Sequence, residues 1–315
     1  MNWDDLENPV FARDGWSVKD ACVAYKDGTF HLFFSAFYRE RWRERSHVVS
    51  VITRDFRKFS EPVLHLDGRE DKWTGMCSPN ISIINERYYL TFNSWGDRHR
   101  NRRKNQLFCM ESGDMISWAE PFQVARNITE GFRAIDLAVT RANGKFYAIW
   151  KEDYPEKGRM VRKPLIASGP ALDGDLELLD GHGKPTFTMA DGKRSTKIQE
   201  NFEFLEVDGR WYLLSLDYRP HVPVLYEMDG AGRNDADWLN WVNGRELEIE
   251  IQSFNTNHAA NAPFIADWRE HDGYFYMIYA GRTEGISHKG RGNNKLGLAR
   301  SKDLMEWEVP PERSG

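Results

Sequence analysis

Apolar and polar residues alternate along most of the chain, and short turns interrupt the alternation. Five segments share one pattern, in which an alternating stretch, a turn and an aromatic-rich alternating stretch follow each other. They are YKDGTFHLFF (25–34), IINERYYLTF (83–92), RANGKFYAIW (141–150), EVDGRWYLLS (206–215) and EHDGYFYMIY (270–279). Four of the turns carry Asp-Gly or Asn-Gly, the strongest short-range hairpin signal, and the second carries the weaker Asn-Glu. The pattern therefore predicts five β-hairpins.

The hairpins recur at a nearly constant interval. Their turn positions, Gly28, Glu86, Gly144, Gly209 and Gly273, are separated by 58, 58, 65 and 64 residues. A second pattern, a polar turn with Asp followed by an aromatic residue and a Pro, occurs at 53–62, 111–121 and 300–310, with fainter versions near 168–179 and 228–241. Each repeat therefore predicts two hairpins, or four antiparallel strands, and helical periodicity is essentially absent.

Five such repeats predict an all-β fold, a five-bladed β-propeller with four antiparallel strands in each blade. A β-sandwich or two separate β domains is the alternative, but neither gives a reason for five evenly spaced copies of one hairpin. No linker rich in Pro, Gly or Ser divides the chain, so we expect one domain over residues 1–315.

Acidic residues stand where the inner strands of three blades begin. Asp20, Asp136 and Glu200 each lie eight or nine residues ahead of the turn glycine, and in a propeller these positions converge on the central axis. A single acid at a strand start is commonly a cap or a solvated residue. Three converging carboxylates repel one another and raise one another's pKa, which suits general acid/base chemistry such as inverting glycoside hydrolysis.

At these residues the sequence resembles glycoside hydrolase family 43 and its five-bladed relatives. The matching features are Asp20 ahead of Gly28 and an aromatic strand, the pair Ile135-Asp136 before a similar hairpin, and Glu200 nine residues before Gly209. The resemblance implies that Asp20 is the general base, Glu200 the general acid, and Asp136 the residue that orients Glu200 and tunes its pKa. It also implies an exo-acting enzyme on furanosyl or xylosyl groups.

The sequence also departs from the family pattern. Ala21 and Leu137 replace the Pro that usually follows the first and third acids, and Phe202 replaces the Pro two residues after the Glu, beside Glu203. Related propellers include mannoside phosphorylases, which use phosphate in place of water and one catalytic acid. A phosphorylase is therefore one alternative, and a carbohydrate-binding propeller without catalysis is another.

Residues near the ends of the second strands are candidates for substrate binding. Phe37, Tyr38, Trp95 and Trp150 are expected to stack on sugar rings or to pack in the core. Asn93, Lys151 and Arg282 are candidate partners of sugar hydroxyls or ring oxygens. Three loops, 38–47, 97–104 and 281–295, are rich in Arg and Lys, which predicts either a solvated surface or a site for a uronate, a sulfated sugar or phosphate.

The composition of the chain excludes some classes of function. The 315 residues carry 43 basic and 48 acidic side chains, and a net charge of −5 excludes nucleic-acid binding driven by bulk positive charge. No pair of the three cysteines has CxxC spacing, so no zinc or redox pair is expected. No cofactor or metal is required; His258 is expected to project toward the axis as a pocket residue, where the resemblance allows a structural calcium.

No apolar run reaches the length of a membrane span, so no membrane partner is expected. The N-terminus has neither a basic start nor an apolar segment. We therefore expect a cytoplasmic protein, or a secreted one from which a leader has been removed, with an oligosaccharide or glycoside as its partner.

Overall fold

A computed structural model describes residues 1–69, 73–96, 104–218, 221–257, 259–283 and 293–312. The structure is nearly all β, with several sheets. The first three repeats comprise β1 (Ser17–Lys26), β2 (Thr29–Glu40), β3 (Arg43–Thr53), β4 (Leu64–Leu66), β5 (Gly75–Ile84), β6 (Arg87–Trp95), β7 (Leu107–Ser112), β8 (Phe122–Gln123), β9 (Arg133–Ala142), β10 (Lys145–Glu156), β11 (Arg159–Gly169) and β12 (Glu177–Leu178).

The last two repeats follow the same order. They comprise β13 (Thr186–Met189), β14 (Gln199–Val207), β15 (Arg210–Asp217), β16 (Val222–Met228), β17 (Asn240–Glu246), β18 (Asn261–Asp267), β19 (Phe275–Arg282) and β20 (Asn294–Ser301). The helices among the described residues are short: α1 (Arg126–Thr129), α2 (Arg269–Asp272) and single 3-10 turns at Trp3–Asp5, Leu179–Gly181 and Asp237–Leu239.

The chain forms two compact units. The first comprises Met1–Pro79, Pro220–Pro223 and Leu247–Gly315, and the second comprises Asn80–Arg219 and Val224–Glu246. The first unit holds β1–β4 and β18–β20, and the second holds β6–β15 and β17, while β5 and β16 cross the boundary. The prediction of one domain over residues 1–315 stays a prediction.

In the first unit, β1 to β4 pair in antiparallel order, and β19 pairs with both β18 and β20. The N-terminal segment completes this last sheet, because the backbone of Phe11 exchanges hydrogen bonds with Leu296 of β20. The buried amide of Asn8 fixes the segment by donating to the side chain of Gln252 and to the carbonyl of Leu298. Among its described residues, the fifth repeat therefore has three strands of its own rather than the predicted four.

In the second unit, β9 to β12 form one antiparallel sheet and β14 to β17 form another. β13 pairs in parallel with β17, an extra strand that the repeat pattern does not predict. The core of the second unit contains large aromatic side chains. Among them are Tyr147 and Trp238, whose rings stack with centroids 4.0 Å apart. Trp150 is completely buried in a neighbouring cluster of the same unit.

The inner hairpins of the first four repeats have the predicted two-residue turns. Both turn residues have positive φ in each case, as type I′ turns require: Asp27-Gly28, Asn85-Glu86, Asn143-Gly144 and Asp208-Gly209. The fifth hairpin differs, because helix α2 lies between β18 and β19 and Gly273, with φ 86°, ends that helix in the left-handed conformation. Asp-Gly was thus a helix end here rather than a hairpin turn.

The second sequence pattern forms the same turn three times. In each, the hydroxyl of a Ser or Thr accepts the backbone N–H of the Asp two residues later, and the carboxylate of that Asp accepts two more N–H groups. The hydroxyl and carboxylate pairs are Thr53 with Asp55, Ser112 with Asp114, and Ser301 with Asp303. These bonds hold the pKa of Asp114 down at about 2.

Each inner strand has one residue in the left-handed conformation among its first four residues. These residues are Asp20, Ser78, Asp136, Asn201 and Ala262, and in β1, β9, β14 and β18 the strand register shifts there, as at a β-bulge. We call them the bulge residues. In the first four repeats the bulge residue lies eight positions before the second residue of the hairpin turn. The expectation that Glu200 shares the place of Asp20 and Asp136 is therefore off by one residue, since Asn201 holds that place.

Candidate active site

In the first unit, Asp20 is a buried carboxylate with two close partners. Its Oδ1 lies 2.9 Å from the ammonium of Lys19, and its Oδ2 accepts a hydrogen bond of 2.9 Å from the hydroxyl of Ser35. Asp20 has a φ of 53°, a conformation that Asp tolerates better than most residues, and only 4% of it is exposed. The bulge therefore fixes the direction of this carboxylate, and the Lys19 ammonium favours its ionised form.

Ser35 also reaches the next repeat. Its hydroxyl accepts the backbone N–H of the bulge residue Ser78 at 2.7 Å, within the same unit. A bulge leaves a backbone group without a ladder partner, and a buried N–H needs an acceptor. Ser35, seven residues after the turn at Gly28, supplies it.

The second unit repeats this contact at Asp136. Asn93 lies seven residues after Glu86, and its Oδ1 accepts the backbone N–H of Asp136 at 3.0 Å. Asn93 is fully buried, and its amide also donates to the carbonyl of Ser94. The structure thus places Asn93 as the support of the Asp136 backbone. Asp136 itself is 6% exposed and has a φ of 61°.

Glu200 contacts the equivalent residue of the third repeat. Lys151 lies seven residues after Gly144, and its ammonium forms a short ion pair with the Glu200 carboxylate. Both side chains are buried, with 5% and 11% exposed, and the ammonium also lies 5.0 Å from the centre of the Tyr218 ring. Because the cation favours the ionised form of Glu200, proton donation by Glu200 requires Lys151 to move away or to bind another anion.

Glu152 is a further buried acid, but it faces the other side of β10. Successive strand residues point to opposite faces, so Glu152 lies on the side of Trp150, whose indole N–H donates to it at 2.9 Å. Burial raises the pKa of Glu152 to about 7. On the next strand pair, burial likewise raises the pKa of Asp217 to about 6. The sequence had assigned no role to Glu152 or Asp217. Only the alternation of side chains along a strand indicates which face of the sheet each of them points to.

The other predicted binding residues fall into different environments. Phe37 is buried, and Trp150 has no exposed surface for stacking on a sugar, since it packs in the core. Trp95 and Arg282 are half-buried at the ends of β6 and β19, and burial lowers the pKa of Arg282. His258 lies outside the described residues.

Sequence reasoning missed Lys19, Ser35 and Tyr218, although the strand register could have indicated the first two. Lys19 and Ser35 are cross-strand partners beside the bulge, and a polar residue seven positions after the turn recurs as Ser35, Asn93 and Lys151. Of the three basic loops, residues 38–47 are described, whereas 97–103 and 284–292 lie outside the described residues.

Metal and membrane features can be assessed for the described ranges only. Within them, no group of three or more His, Cys, Asp or Glu side chains is arranged to hold a metal ion. The three cysteines, Cys22, Cys77 and Cys109, are buried thiols without disulfide bonds. None of the described helices is both long and apolar enough to cross a bilayer.

No protein-family model and no curated protein matches the chain, but solved structures match it over nearly its whole length. A GH43_1 enzyme from Xanthomonas citri complexed with xylose is 13% identical, with a TM-score of 0.65 over 97% of this chain and 93% of that chain. A GH43 β-xylosidase/α-arabinofuranosidase from a compost microbial metagenome, in complex with xylotriose, is 14% identical, with a TM-score of 0.62 over 96% of both chains.

A third match comes from work on the GH130 family of mannoside phosphorylases, which contains glycoside hydrolases that target β-1,2 mannosidic linkages in Candida mannan. It is 14% identical to this chain, with a TM-score of 0.63 over 98% of this chain and 95% of that one. At such identities the similarity concerns the fold alone. The chain therefore has a GH43-like fold.

Proposed function

We propose that the chain is an inverting glycoside hydrolase with a five-bladed β-propeller fold. It removes furanosyl or xylosyl groups from the ends of oligosaccharides. Glu200 protonates the oxygen of the leaving group, and Asp20 takes a proton from the water that attacks the anomeric carbon from the opposite face. Asp136 orients Glu200 and adjusts its proton affinity.

The observation that carries the proposal is the repetition of buried acids at one backbone feature. Asp20 and Asp136 are bulge residues, and Glu200 directly precedes the bulge residue of its repeat. Burying a carboxylate is costly, so acids that recur at such positions call for a functional reason. Structural neighbours crystallised with xylose and xylotriose support an oligosaccharide substrate.

The proposal is tested by the leaving-group dependence of Glu200→Gln. We expect its kcat/KM on xylobiose, whose leaving sugar needs a proton, to fall by about 1000-fold. On 2,4-dinitrophenyl β-D-xyloside, whose leaving group departs as an anion, we expect a loss of less than about tenfold. NMR of the first product formed by the unmodified protein should detect the inverted anomer.

Glu203→Gln is the matched control, because Glu203 is a buried acid on the same strand, three residues further along. It should keep the same ratio between the two substrates as the unmodified protein. Equal losses of Glu200→Gln on both substrates would contradict the acid role. Absence of turnover of xylosides and arabinofuranosides by a folded, unmodified protein would contradict the proposed function.

One observation favours a phosphorylase as a second candidate. Lys151 is a buried cation in contact with Glu200, and phosphate bound to Lys151 would leave Glu200 without its cation. The GH130 neighbour has the same fold as this chain. If the chain is a phosphorylase, turnover should require inorganic phosphate and release a sugar 1-phosphate. The rate of a hydrolase should not depend on phosphate.

A further inference from the structure

The hairpin of β2 and β3 carries an exposed tryptophan at its tip. Its two strands pair without interruption from Phe30 with Thr53 to Glu40 with Arg43, leaving a two-residue turn of Arg41 and Trp42. Trp42 is 68% exposed, the highest fraction among the large apolar side chains that the structure describes. An exposed indole on a regular, fully paired hairpin is a feature of binding surfaces rather than of a core.

The residues of this turn are unusual. Five other two-residue turns have Asp, Asn or Lys at their first position, and four of them have Gly at the second: Asp27-Gly28, Asn85-Glu86, Asn143-Gly144, Lys157-Gly158 and Asp208-Gly209. At the tip of β2 and β3, Arg41 takes a φ of 55°, and a tryptophan occupies the usual place of Gly. Strained backbone with atypical residues is retained where function requires it, which makes this tip a candidate site.

The charges around Trp42 are arranged in two groups. Glu40 is held by two cations, at 3.1 Å from Arg45 and 2.9 Å from Arg69, so its negative charge is already matched. The guanidinium of Arg43 lies 4.5 Å from the centre of the Trp42 ring, and Arg41 is exposed beside it. The tip therefore presents an aromatic ring and two further cations, although the whole chain has a net charge of −5.

Glu40, Arg41, Trp42, Arg43 and Arg45 line a cavity of about 300 Å³. An aromatic ring can stack on the apolar face of a sugar, and guanidinium groups bind carboxylates through paired hydrogen bonds. A neutral sugar would leave the two guanidinium groups without an anionic partner.

We propose that Trp42, Arg43 and Arg41 form a binding site for the uronate units of an acidic glycan chain. Ser35, which contacts Asp20, lies seven residues before Trp42 on the same hairpin, which corresponds to about 20 Å along a strand. A single sugar unit does not span that distance. The site therefore binds a glycan at some distance from the candidate base, and its effect on catalysis rests on the proposed function.

Binding of sodium oligogalacturonate tests the proposal independently of turnover, in the Glu200→Gln protein, by isothermal titration calorimetry. Neutral xylohexaose and a single-stranded DNA of similar length serve as comparison probes. We expect oligogalacturonate to bind at least about tenfold more tightly than xylohexaose or DNA, and to weaken severalfold between about 50 mM and about 300 mM salt. Trp42→Ala and Arg43→Gln should each weaken binding about tenfold.

Arg159→Gln is the matched control, because Arg159 follows the turn of the β10 and β11 hairpin as Arg43 follows its own. It should leave binding unchanged. Equal affinity for xylohexaose, tighter binding of DNA, equal losses in Arg159→Gln and Arg43→Gln, or no saturable binding of oligogalacturonate would each overturn the proposal. Trp42→Phe, which keeps an aromatic ring, should retain most of the affinity.

Measurements of turnover distinguish a failure of the glycan-site proposal from a failure of the proposed function. Trp42→Ala should leave kcat/KM for 2,4-dinitrophenyl β-D-xyloside unchanged, since that substrate does not reach the tip. If the unmodified protein binds oligogalacturonate through Trp42 but hydrolyses no glycoside, only the proposed function fails. If it hydrolyses glycosides and Trp42→Ala has no effect on oligogalacturonate binding, only the glycan site fails.

Discussion

The first and third repeats share one backbone plan and differ in the side chains it carries. Both have an Asp bulge residue eight positions before a turn glycine, and β2 and β10 are both twelve residues long. Seven positions after the turn, however, the first repeat has Ser35, a neutral donor to Asp20, while the third has Lys151, a cation on Glu200. The repeat therefore fixes where a side chain lies, and single substitutions decide what charge it meets.

The difference continues along the second strands. Eight positions after the turn, the first repeat has Ala36 and the third has the buried Glu152. At the hairpin tips, Arg41 and Trp42 stand where the third repeat has Lys157 and Gly158. Because the two hairpins share one backbone geometry and differ in their side chains, matched variants can test each position.

The two bulge acids should differ most strongly in catalysis. If Asp20 is the base, Asp20→Asn leaves the attacking water without a proton acceptor, and kcat should fall by about 1000-fold or more. Asp136→Asn should cost about 10-fold to 100-fold, since Asp136 acts through Glu200. Initial rates on xylobiose, whose leaving sugar needs a proton, measure both.

Asp208→Asn is the control for these two variants, because Asp208 is a turn residue with positive φ, a conformation that Asn also accepts. It should keep full activity. Equal losses for Asp20→Asn and Asp136→Asn would remove the distinction between base and modulator, and full activity of Asp20→Asn would refute its role as the base.

Glu152 gives the third repeat a stability cost that Ala36 does not impose on the first. Its folded pKa, about 7, exceeds the ordinary value of 4.5, so the folded protein binds more protons between these values than the unfolded chain. Stability should therefore fall as the pH rises from 4.5 to 7. Glu152→Gln should raise the free energy of unfolding by about 2 to 3 kcal/mol at pH 8 and leave it unchanged below pH 4.5.

Urea denaturation of Glu152→Gln and the unmodified protein at both pH values measures this difference. Glu120→Gln, at an exposed acid of the same unit, should give no pH-dependent gain. A gain that is equal at both pH values would show that packing, rather than ionisation, causes the effect.

Local signals allowed much of the fold to be predicted. Asp-Gly and Asn-Gly fix left-handed turn residues, so Gly28, Gly144 and Gly209 marked their hairpins correctly. Gly273 also lies between two antiparallel partners, β18 and β19, but it ends helix α2 instead of forming a two-residue turn, because Gly also ends helices in the left-handed conformation. The parallel strand β13 has no turn signal of its own, since its partner β17 lies some fifty residues along the chain.

The candidate site was predicted less completely than the fold. Counting back from the turn glycine located the bulge residues Asp20 and Asp136. In the fourth repeat the same count of eight leads to Asn201, so Glu200 lies one residue before the bulge. Contacts such as Asn93 with Asp136 or Lys151 with Glu200 join different repeats. Local sequence patterns carry no information on contacts between repeats. The sequence therefore indicated a substrate hydroxyl or ring oxygen as the partner of Asn93, and not the backbone of Asp136.

The smallest expected effect concerns the first residues of the two hairpin tips. Lys157 and Arg41 both hold positive φ, of 49° and 55°, which costs a side chain of this type about 1 kcal/mol and an Asn less. Lys157→Asn creates an Asn-Gly turn and should stabilise the second unit by about 0.5 to 1 kcal/mol. Arg41→Asn should gain less in the first unit, since Trp42 remains at the second position.

Thermal unfolding midpoints measure both gains. Asp27→Lys is the reverse control, because it converts the exposed Asp-Gly turn of the first repeat into Lys-Gly and should lose about what Lys157→Asn gains. If Arg41→Asn gained as much as Lys157→Asn, Trp42 would impose no cost on its turn. The turn at the tip would then carry no strain from Trp42, and only the exposure of Trp42 and the charges of Arg41 and Arg43 would favour a glycan site there.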